Sequence, residues 1–444
     1  MRLPLDVLQC IDALEAASFP TYAVGGCVRD HLLGLQPHDF DLCTAALPEQ
    51  IQSVFSDHGL VLAGMKHGTV GVICSGGVVE ITTFRTEGGY SDCRHPDWVK
   101  FVPSIEEDLA RRDFTVNAMA WSPTRGFADP FGGRDDLKSR TLRSVGQPER
   151  RFQEDALRIL RGVRFAIKYR LTPEATTEQA MARLAGLMDS LARERVFEEL
   201  CKLLPLASAV DLLRYAPIIT QVIPELADAV GFDQRTPHHV YDLFTHTAHV
   251  TAAVPADVTL RWAALLHDVG KLSTFTLDEN GRGHFYGHAK ASAQIANDIL
   301  LRLKAPTALR ERVVVLIEQH MVKPEPDRKF LRRRLSRLGS DVFRQLLTLQ
   351  EADMGGKGTN HPSETDEWAR IRHLLAQIDA EDACLSIKDL AINGRDLIGI
   401  GYAPGKALGA CLQSLLNQVV DETLPNERAA LLSAAKNAAN QGTQ

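Results

Sequence analysis

Four features are missing from this 444-residue sequence. It holds eight cysteines but no Cys-x-x-Cys, which excludes a zinc ribbon or a paired redox motif. No long uncharged apolar run occurs, so no membrane-spanning helix is expected. There is neither an internal repeat nor a low-complexity tract. Positive charge is not in excess: the net charge is −6, a poor match to a nucleic-acid binder unless the basic residues are gathered locally. They are gathered. Arg328-Lys329, Arg332-Arg333-Arg334 and Arg337 form one dense stretch, and Arg150, Arg151, Arg158, Arg161 and Arg164 form another. The N-terminus carries Asp6, Asp12 and Glu15, which break any signal-peptide core, while Val7, Ile11 and Leu14 recur at helical spacing behind Pro4. The cysteines are therefore expected to be reduced thiols, and the location cytoplasmic. What remains is an ordinary globular composition, 45% hydrophobic and 24% charged, over a length that suggests two to four domains.

The sequence is organised around Gly25-Gly26-Cys27-Val28-Arg29-Asp30, which follows the apolar run Tyr22 to Val24. Two glycines permit a close backbone approach to a ligand, and Arg29 brings a guanidinium suited to phosphate. Leu32, Leu33 and Leu35 read as a helical turn packed behind the loop. Asp39 and Asp41 sit two apart, so on a strand both carboxylates face one way. Paired carboxylates with nucleotide phosphates suit Mg²⁺ and two-metal nucleotidyl transfer. Thr69 to Cys74 and Val78 to Phe84 read as a hairpin turning at Ser75-Gly76-Gly77, with Glu80 a candidate third carboxylate. Residues 85 to 103, with Gly88-Gly89-Tyr90 and His95-Pro96, read as a polar loop.

Further on, Arg111-Arg112-Asp113-Phe114-Thr115 is followed by Asn117, and Asp129-Pro130-Phe131-Gly132-Gly133 reads as a turn. Glu154-Asp155-Ala156-Leu157-Arg158 is expected to open a helix. On it Ala156, Ile159, Leu160, Val163 and Ile167 share an apolar side. Asp155, Arg158 and Arg161 lie roughly opposite, Gly162 keeps that polar face open, and Arg164 sits at the edge. On spacing alone, Asp155 and Arg158 read as a surface ion pair. His246, His267-Asp268 and Asp353, with His288 and His320, are scattered through helical surroundings. Imidazoles mixed with carboxylates suit a transition metal.

In combination these motifs resemble the class II nucleotidyltransferases, which include bacterial CCA-adding tRNA nucleotidyltransferases and bacterial poly(A) polymerases. The resemblance spans nearly the whole chain. It implies an α+β protein: a polymerase-beta-like nucleotidyltransferase head on a mixed or antiparallel sheet, then an all-helical neck, body and tail. The expected domains are a head at 1–145, a neck at 146–230, an HD body at 231–365 and a tRNA-binding tail at 366–444. By this resemblance Asp39 and Asp41 are the catalytic, Mg²⁺-holding pair. Gly26, Arg29 and Arg112 hold the nucleotide. Asp155, Arg158, Arg161 and Arg164 form an amino-acid template for the incoming base. The order His246, His267, Asp268 and Asp353 is that of an HD phosphohydrolase site, for which Mn²⁺, Ni²⁺ or Co²⁺ is expected.

The expected partners are a tRNA 3′ end, CTP and ATP. His67-Gly68-Thr69-Val70, Ala156, and the tail segment Ile392-Asn393-Gly394-Arg395-Asp396-Leu397 resemble the CCA-adding members more than the polymerases. The 85–103 loop resembles one carried by members that add the terminal A. The alternatives are a poly(A) polymerase, an A-adding specialist, and an HD phosphohydrolase with a vestigial head.

Overall fold

The computed structural model describes residues 1–37, 39–89, 98–236, 240–358, 362–381 and 383–441. The chain divides into two compact units, Met1–Ala227 with Arg302–Lys304, and Asp228–Leu301 with Ala305–Gln444. The expected head and neck share the first unit, and the break at 227/228 lies close to the expected start of the body.

The first unit is built on a seven-stranded sheet of β1 (Thr21–Val24), β2 (Asp41–Thr44), β3 (Gly59–Val61), β4 (Thr69–Cys74), β5 (Gly77–Thr83), β8 (Ala120–Ser122) and β9 (Gly126–Ala128), in the order β3-β4-β5-β2-β1-β8-β9. Only β2 and β5 run parallel, with Leu42 opposite Ile81; the other neighbours are antiparallel. The mixed sheet is the one expected. β4 turns into β5 through Ser75-Gly76, with Cys74 opposite Gly77. α1 (Leu5–Ala16) buries Val7, Cys10, Ile11 and Leu14, the residues at helical spacing in the sequence. No disulfide joins the described cysteines.

The 85–103 segment is more ordered than its composition suggests. Its arms form a separate antiparallel pair, β6 (Arg85–Gly88) and β7 (Trp98–Phe101), with Arg85 opposite Phe101 and Gly88 opposite Trp98. Breaker residues end these strands rather than prevent them. Tyr90, His95 and Pro96 lie outside the described residues.

Helices cover this sheet and continue from it: α2 (Gly26–Leu32), α3 (Pro48–Val54), α4 (Ile105–Ala110), α5 (Gly133–Lys138), α6 (Pro148–Glu154), α7 (Leu157–Tyr169), α8 (Ala175–Arg183) and α9 (Arg193–Leu203). α2 buries Cys27, Val28 and Arg29, not the leucines expected to pack there. Leu32 and Leu35 are 37% and 50% exposed, because α2 ends at Leu32 and the chain leaves the sheet.

The second unit is almost entirely helical, with one small hairpin pairing Thr276–Leu277 with Gly283–His284. Asn393 caps the helix Gly394–Gly399: its side chain accepts from the Arg395 N–H at 2.9 Å, and Asp396 accepts from the Asn393 N–H at 2.8 Å. The tail motif therefore starts a helix whose Leu397 is fully buried. The last helix runs Arg428–Gln441, and 442–444 lie outside the described residues.

The basic stretch at 328–337 is a seam between helices. Arg328 pairs with Glu422 at 2.7 Å and with Glu381, and Arg333 pairs with Asp421 at 2.6 Å. Arg332, buried, donates to the Val420 and Val419 carbonyls at 2.9 and 3.1 Å. These carbonyls end the helix Lys406–Val420, where a cation is favourable.

Candidate nucleotide cleft and candidate metal centre

A cleft of about 620 Å³ in the first unit is lined by Gly26, Arg29, Asp39, Asp41, Arg112, Asp155, Arg158, Arg161 and Arg164, the catalytic and nucleotide-binding residues expected from the sequence. Eight cationic side chains line it against five carboxylates, so a basic site exists within an acidic chain. Its floor is set by the β1–α2 turn. Gly25 has φ of +71°, and a Cβ there would lie 2.8 Å from an Arg112 guanidinium nitrogen. The positive φ favours glycine here, and a side chain would also displace the Arg112 guanidinium.

Asp41 opens β2, but Asp39 precedes the strand, so the two carboxylates do not share one strand face. The irregular approach to β2 brings both to the same cleft. Asp41 keeps an exposed side chain, yet surrounding atoms raise its carboxyl above the usual range. Arg112 opposes that rise and Asp39 adds to it. Two acids crowded in this way form an oxygen-donor set suited to a hard divalent cation. Glu80, on β5, is exposed and is not among the residues lining the cleft.

Arg29 is not an open phosphate fork. It is 5% exposed, stacks 4.2 Å from the Tyr169 ring centre, and donates to Asp30 at 2.8 Å, to Asn117 and to Tyr169. It ties the glycine turn to α7. Asn117 in turn donates to Asp113 at 3.0 Å, and Arg161 clamps Asp113 at 2.6 and 2.9 Å. Burial would raise the Asp113 carboxyl; Arg161 and the Asn117 hydrogen bond overcome it and hold the group far below its usual range. Arg112 is held by Asp108 at 3.3 Å, and Arg111 by the same carboxylate at 2.9 Å.

The template segment differs from its expected form. α6 ends at Glu154 and α7 begins at Leu157, so Asp155 sits in the break, with an extended backbone, and not on the helix with Arg158. Its carboxylate caps the Leu157 N–H at 3.1 Å and pairs with Arg195 of α9 at 2.9 Å. Arg158 is 8% exposed, pinned by Glu154 at 3.0 Å and by the Arg151 and Arg111 carbonyls at 3.2 and 3.1 Å. Arg164 is paired with Glu199. Gly162 faces inward: a Cβ there would lie 2.9 Å from the Phe114 ring. It admits the aromatic cluster of Phe114, Phe152 and Phe165, and the polar face does not depend on it.

In the second unit His246, His267, Asp268 and Asp353 present donor atoms all within 4.8 Å of one another. Asp268, His288 and His320 form a second group that shares Asp268. Helix ends supply most of these residues, with His267 closing Val258–Leu266, His288 opening His288–Arg302 and His320 closing Thr307–Gln319. Each imidazole commits Nδ1 to a backbone carbonyl: His246 to Gly356 at 3.0 Å, His267 to Ala264 at 2.8 Å, His288 to Phe285 at 2.8 Å and His320 to Ile317 at 2.6 Å. That fixes Nε2 as the inward-facing nitrogen. The Nε2 atoms of His267, His288 and His320 are buried and make no hydrogen bond, although Asp268 oxygens lie 3.2 to 3.7 Å away. Burial lowers the His267 imidazole, but Asp268 and Asp353 outweigh it and push it up to about 10, so this centre favours a cation. Orphaned imidazole nitrogens around shared carboxylates fit a transition metal.

Three family models match the chain. Residues 21–143 match a poly A polymerase head domain, 170–230 an RNA- and SrmB-binding site of polymerase A, and 285–435 a tRNA nucleotidyltransferase domain 2. A CCA-adding enzyme of Latilactobacillus sakei is 36% identical over 440 residues, covering 97% of each chain. The chain belongs to the CCA-adding enzyme family. A second CCA-adding enzyme, from Streptococcus thermophilus, is 33% identical over 96% of this chain and 95% of its own. The solved CCA-adding enzyme of Bacillus stearothermophilus, in complex with CTP, matches with a TM-score of 0.70 and 28% identity over 100% of both chains. That of Thermotoga maritima, complexed with tRNA, shares the fold with a TM-score of 0.61 at 20% identity, over 98% of this chain and 97% of its own. None of the three matched models is an HD phosphohydrolase; the third spans His288, His320 and Asp353 under another description.

In this CCA-adding enzyme two side chains that sequence reading missed hold the cleft residues in place, Arg195 in the lining and Asp108 buried behind it. Asp108 precedes Arg111 and Arg112 by three and four residues, a helical pairing legible in principle. Arg195 lies 40 residues from Asp155 and leaves no local signal. At the second centre, Gly270 allows a close backbone approach. A Cβ there would lie 2.4 Å from the Ser292 nitrogen and 2.8 Å from the His288 carbonyl. Gly270→Ala is expected to lower stability by about 1–3 kcal/mol and to push His288 away from Asp268. Thermal melts with and without Mn²⁺ check this: the rise in Tm on adding metal should shrink in the variant.

Proposed function

We propose that this chain adds C, C and A to the 3′ end of tRNA, in the cytoplasm, without a nucleic-acid template and using CTP and ATP. The supporting observation is the single cleft where Asp39 and Asp41 stand beside Asp155 and Arg158. The tRNA 3′-hydroxyl oxygen bonds the α-phosphorus, the bond to pyrophosphate breaks, and the hydroxyl proton passes to solvent. Asp39 and Asp41 would hold Mg²⁺, which, when bound, lowers the hydroxyl pKa and offsets charge on the leaving pyrophosphate. Arg112 and the glycine turn bear the triphosphate, while Arg29 keeps that turn fixed to α7. Asp155 and Arg158 face the incoming base. The expected division is retained: head 1–145, neck 146–230, body 231–365 and tail 366–444. The test is to supply tRNAs lacking CCA, CA or A with CTP and ATP and to sequence the products. Completion of all three supports the reading. Long poly(A) tracts on unrelated RNA overturn it.

We further propose that the body is a metal-dependent phosphohydrolase acting on nucleotide or RNA-end phosphates. His246, His267, Asp268 and Asp353 would hold Mn²⁺, Ni²⁺ or Co²⁺, which supplies an activated water at neutral pH. Water oxygen joins phosphorus, the ester P–O bond breaks, and the leaving alcohol takes a proton. The buried, unsatisfied Nε2 atoms of His267, His288 and His320, each with Nδ1 on a backbone carbonyl, support this reading. His267→Ala should abolish hydrolysis of 2′-phosphate and 2′,3′-cyclic substrates and leave nucleotide addition intact. A wild-type chain that hydrolyses none of them with any of these metals would contradict it.

A further inference from the structure

The cleft in front of the metal donors carries a feature that hydrolysis of a bare phosphate ester does not use. It has a volume of about 330 Å³, near the lower end for small-molecule sites, and Asp268, His288 and Asp353 line it. Its lip is the hairpin that pairs Thr276–Leu277 with Gly283–His284, together with Phe285 and Tyr286. Tyr286 is 78% exposed, which is unusual for a large aromatic side chain. The His284 ring lies parallel to it and offset, at 5.4 Å between ring centres with 5° between planes. The Tyr286 hydroxyl lies 3.3 Å from His284 Nδ1, and Asp278 holds His284 Nε2 at 3.1 Å. A carboxylate thus orients an imidazole, and the imidazole orients the phenol. The ring pair is thus oriented through its polar atoms, and the Tyr286 ring stands open to solvent at the mouth of the cleft.

We propose that this stack is a base platform, so that the body site takes nucleotides and not phosphate esters in general. The proposal rests on the phosphohydrolase reading and names the residue that gives that site its preference for nucleotides. Tyr286 stands two residues before His288, so their Cα atoms lie within about 7.6 Å of each other. A base stacked on Tyr286 therefore keeps its own ribose phosphate near His288 and Asp268. Lys271 and Lys357 line the same cleft and offer charge to phosphate, although Lys271 also sits 2.7 Å from Asp268 and Lys357 3.6 Å from Asp353. Arg282 lines the cleft as well and adds a third cation for phosphate. Stacking tolerates every base, and all four nucleotides should be accepted.

The full chain is tested with Mn²⁺, Ni²⁺ or Co²⁺ on the 2′-, 3′- and 5′-monophosphates of adenosine and uridine, with ribose 5-phosphate and glycerol 2-phosphate as base-free probes. Tyr286→Ala should raise KM for the nucleotides roughly 5- to 140-fold, leave kcat for the base-free esters unchanged, and keep nucleotide addition by the head as a fold control. Tyr286→Phe should restore wild-type KM. Calorimetric titration with the same nucleotides gives a second readout: the binding lost in Tyr286→Ala belongs to this site alone. If nucleotides and base-free esters are hydrolysed equally and Tyr286→Ala changes neither, the platform is overturned and hydrolysis stands. If nothing is hydrolysed but Tyr286→Ala still weakens nucleotide binding, the platform stands and the hydrolase reading falls. If nothing is hydrolysed and binding is unchanged, both fall.

Discussion

Asp39→Ala and Asp41→Ala will each bring nucleotide addition down by roughly a thousandfold or more, while the protein melts no earlier than the wild type. The activity loss follows from removing one of two oxygen donors to a divalent cation, an effect of about 4 kcal/mol on the transition state. The stability argument comes from the sign of the Asp41 shift. Its carboxyl is raised in the folded chain, by crowding first and then by Asp39, against the pull of Arg112. An acid with a raised folded pKa destabilises the fold once pH exceeds that value, because the charge is easier to carry unfolded. That penalty grows as pH rises from the ordinary value of 3.8 through the raised one, and is fully present at neutral pH. Removing Asp41 removes it. Incorporation of labelled CTP, read beside thermal melts at pH 7, separates the two effects. Substantial addition by either variant would rule out the paired-carboxylate assignment.

The second large effect is on base choice. Asp155→Ala with Arg158→Ala should slow addition and admit UTP or GTP. A carboxylate only accepts hydrogen bonds and a guanidinium only donates them. Cytosine and adenine both offer an amino donor beside a ring-nitrogen acceptor, whereas uracil and guanine offer the reverse. Each mispaired buried group costs about 1–3 kcal/mol. Two errors give roughly 30-fold to 10⁴-fold rejection. This pair is not a free helical face. Asp155 is held by Arg195 and Arg158 by Glu154 and two carbonyls, so both are fixed before the nucleotide arrives. Arg195→Ala should therefore relax selection in part, by letting Asp155 turn. Competition between CTP and UTP on tRNA lacking CCA measures the effect. Unchanged rejection of UTP and GTP in the double variant would place base selection elsewhere.

The residues that gather at the cleft were legible in sequence, because each belongs to a short motif with a charged residue at a fixed offset. How they are held was not. Arg29 reads as a phosphate fork until Tyr169, 140 residues away, is seen against it. Asp155 reads as helical because Glu154 to Arg158 contains no breaker, yet the chain bends there so that Asp155 can cap α7 and meet Arg195. Gly162 falls on the polar side of a helical wheel, but Phe114 comes from another element and fills that side. The β4–β5 hairpin was legible from β-branched runs around the Ser75-Gly76 turn, whereas the mixed sheet came only with the family resemblance, and the β6–β7 arms were hidden by Gly89 and Pro96 between them. The six candidate donors of the second unit were legible as residue types, whereas the close approach of Gly270 to the His288 carbonyl depends on a backbone path that no pattern records.

The arginine seam at 328–337 also bears on how ionic strength should govern tRNA binding. Affinity for a polyanion falls with salt in proportion to the phosphates a protein neutralises, since each one releases condensed counterions. Arg328, Arg332 and Arg333 already have carboxylates or helix-end carbonyls as partners, and cannot displace counterions without first giving these up. Half of the six cations in the densest basic run are thus already engaged within the protein, and the slope of affinity against salt will be smaller than their number suggests.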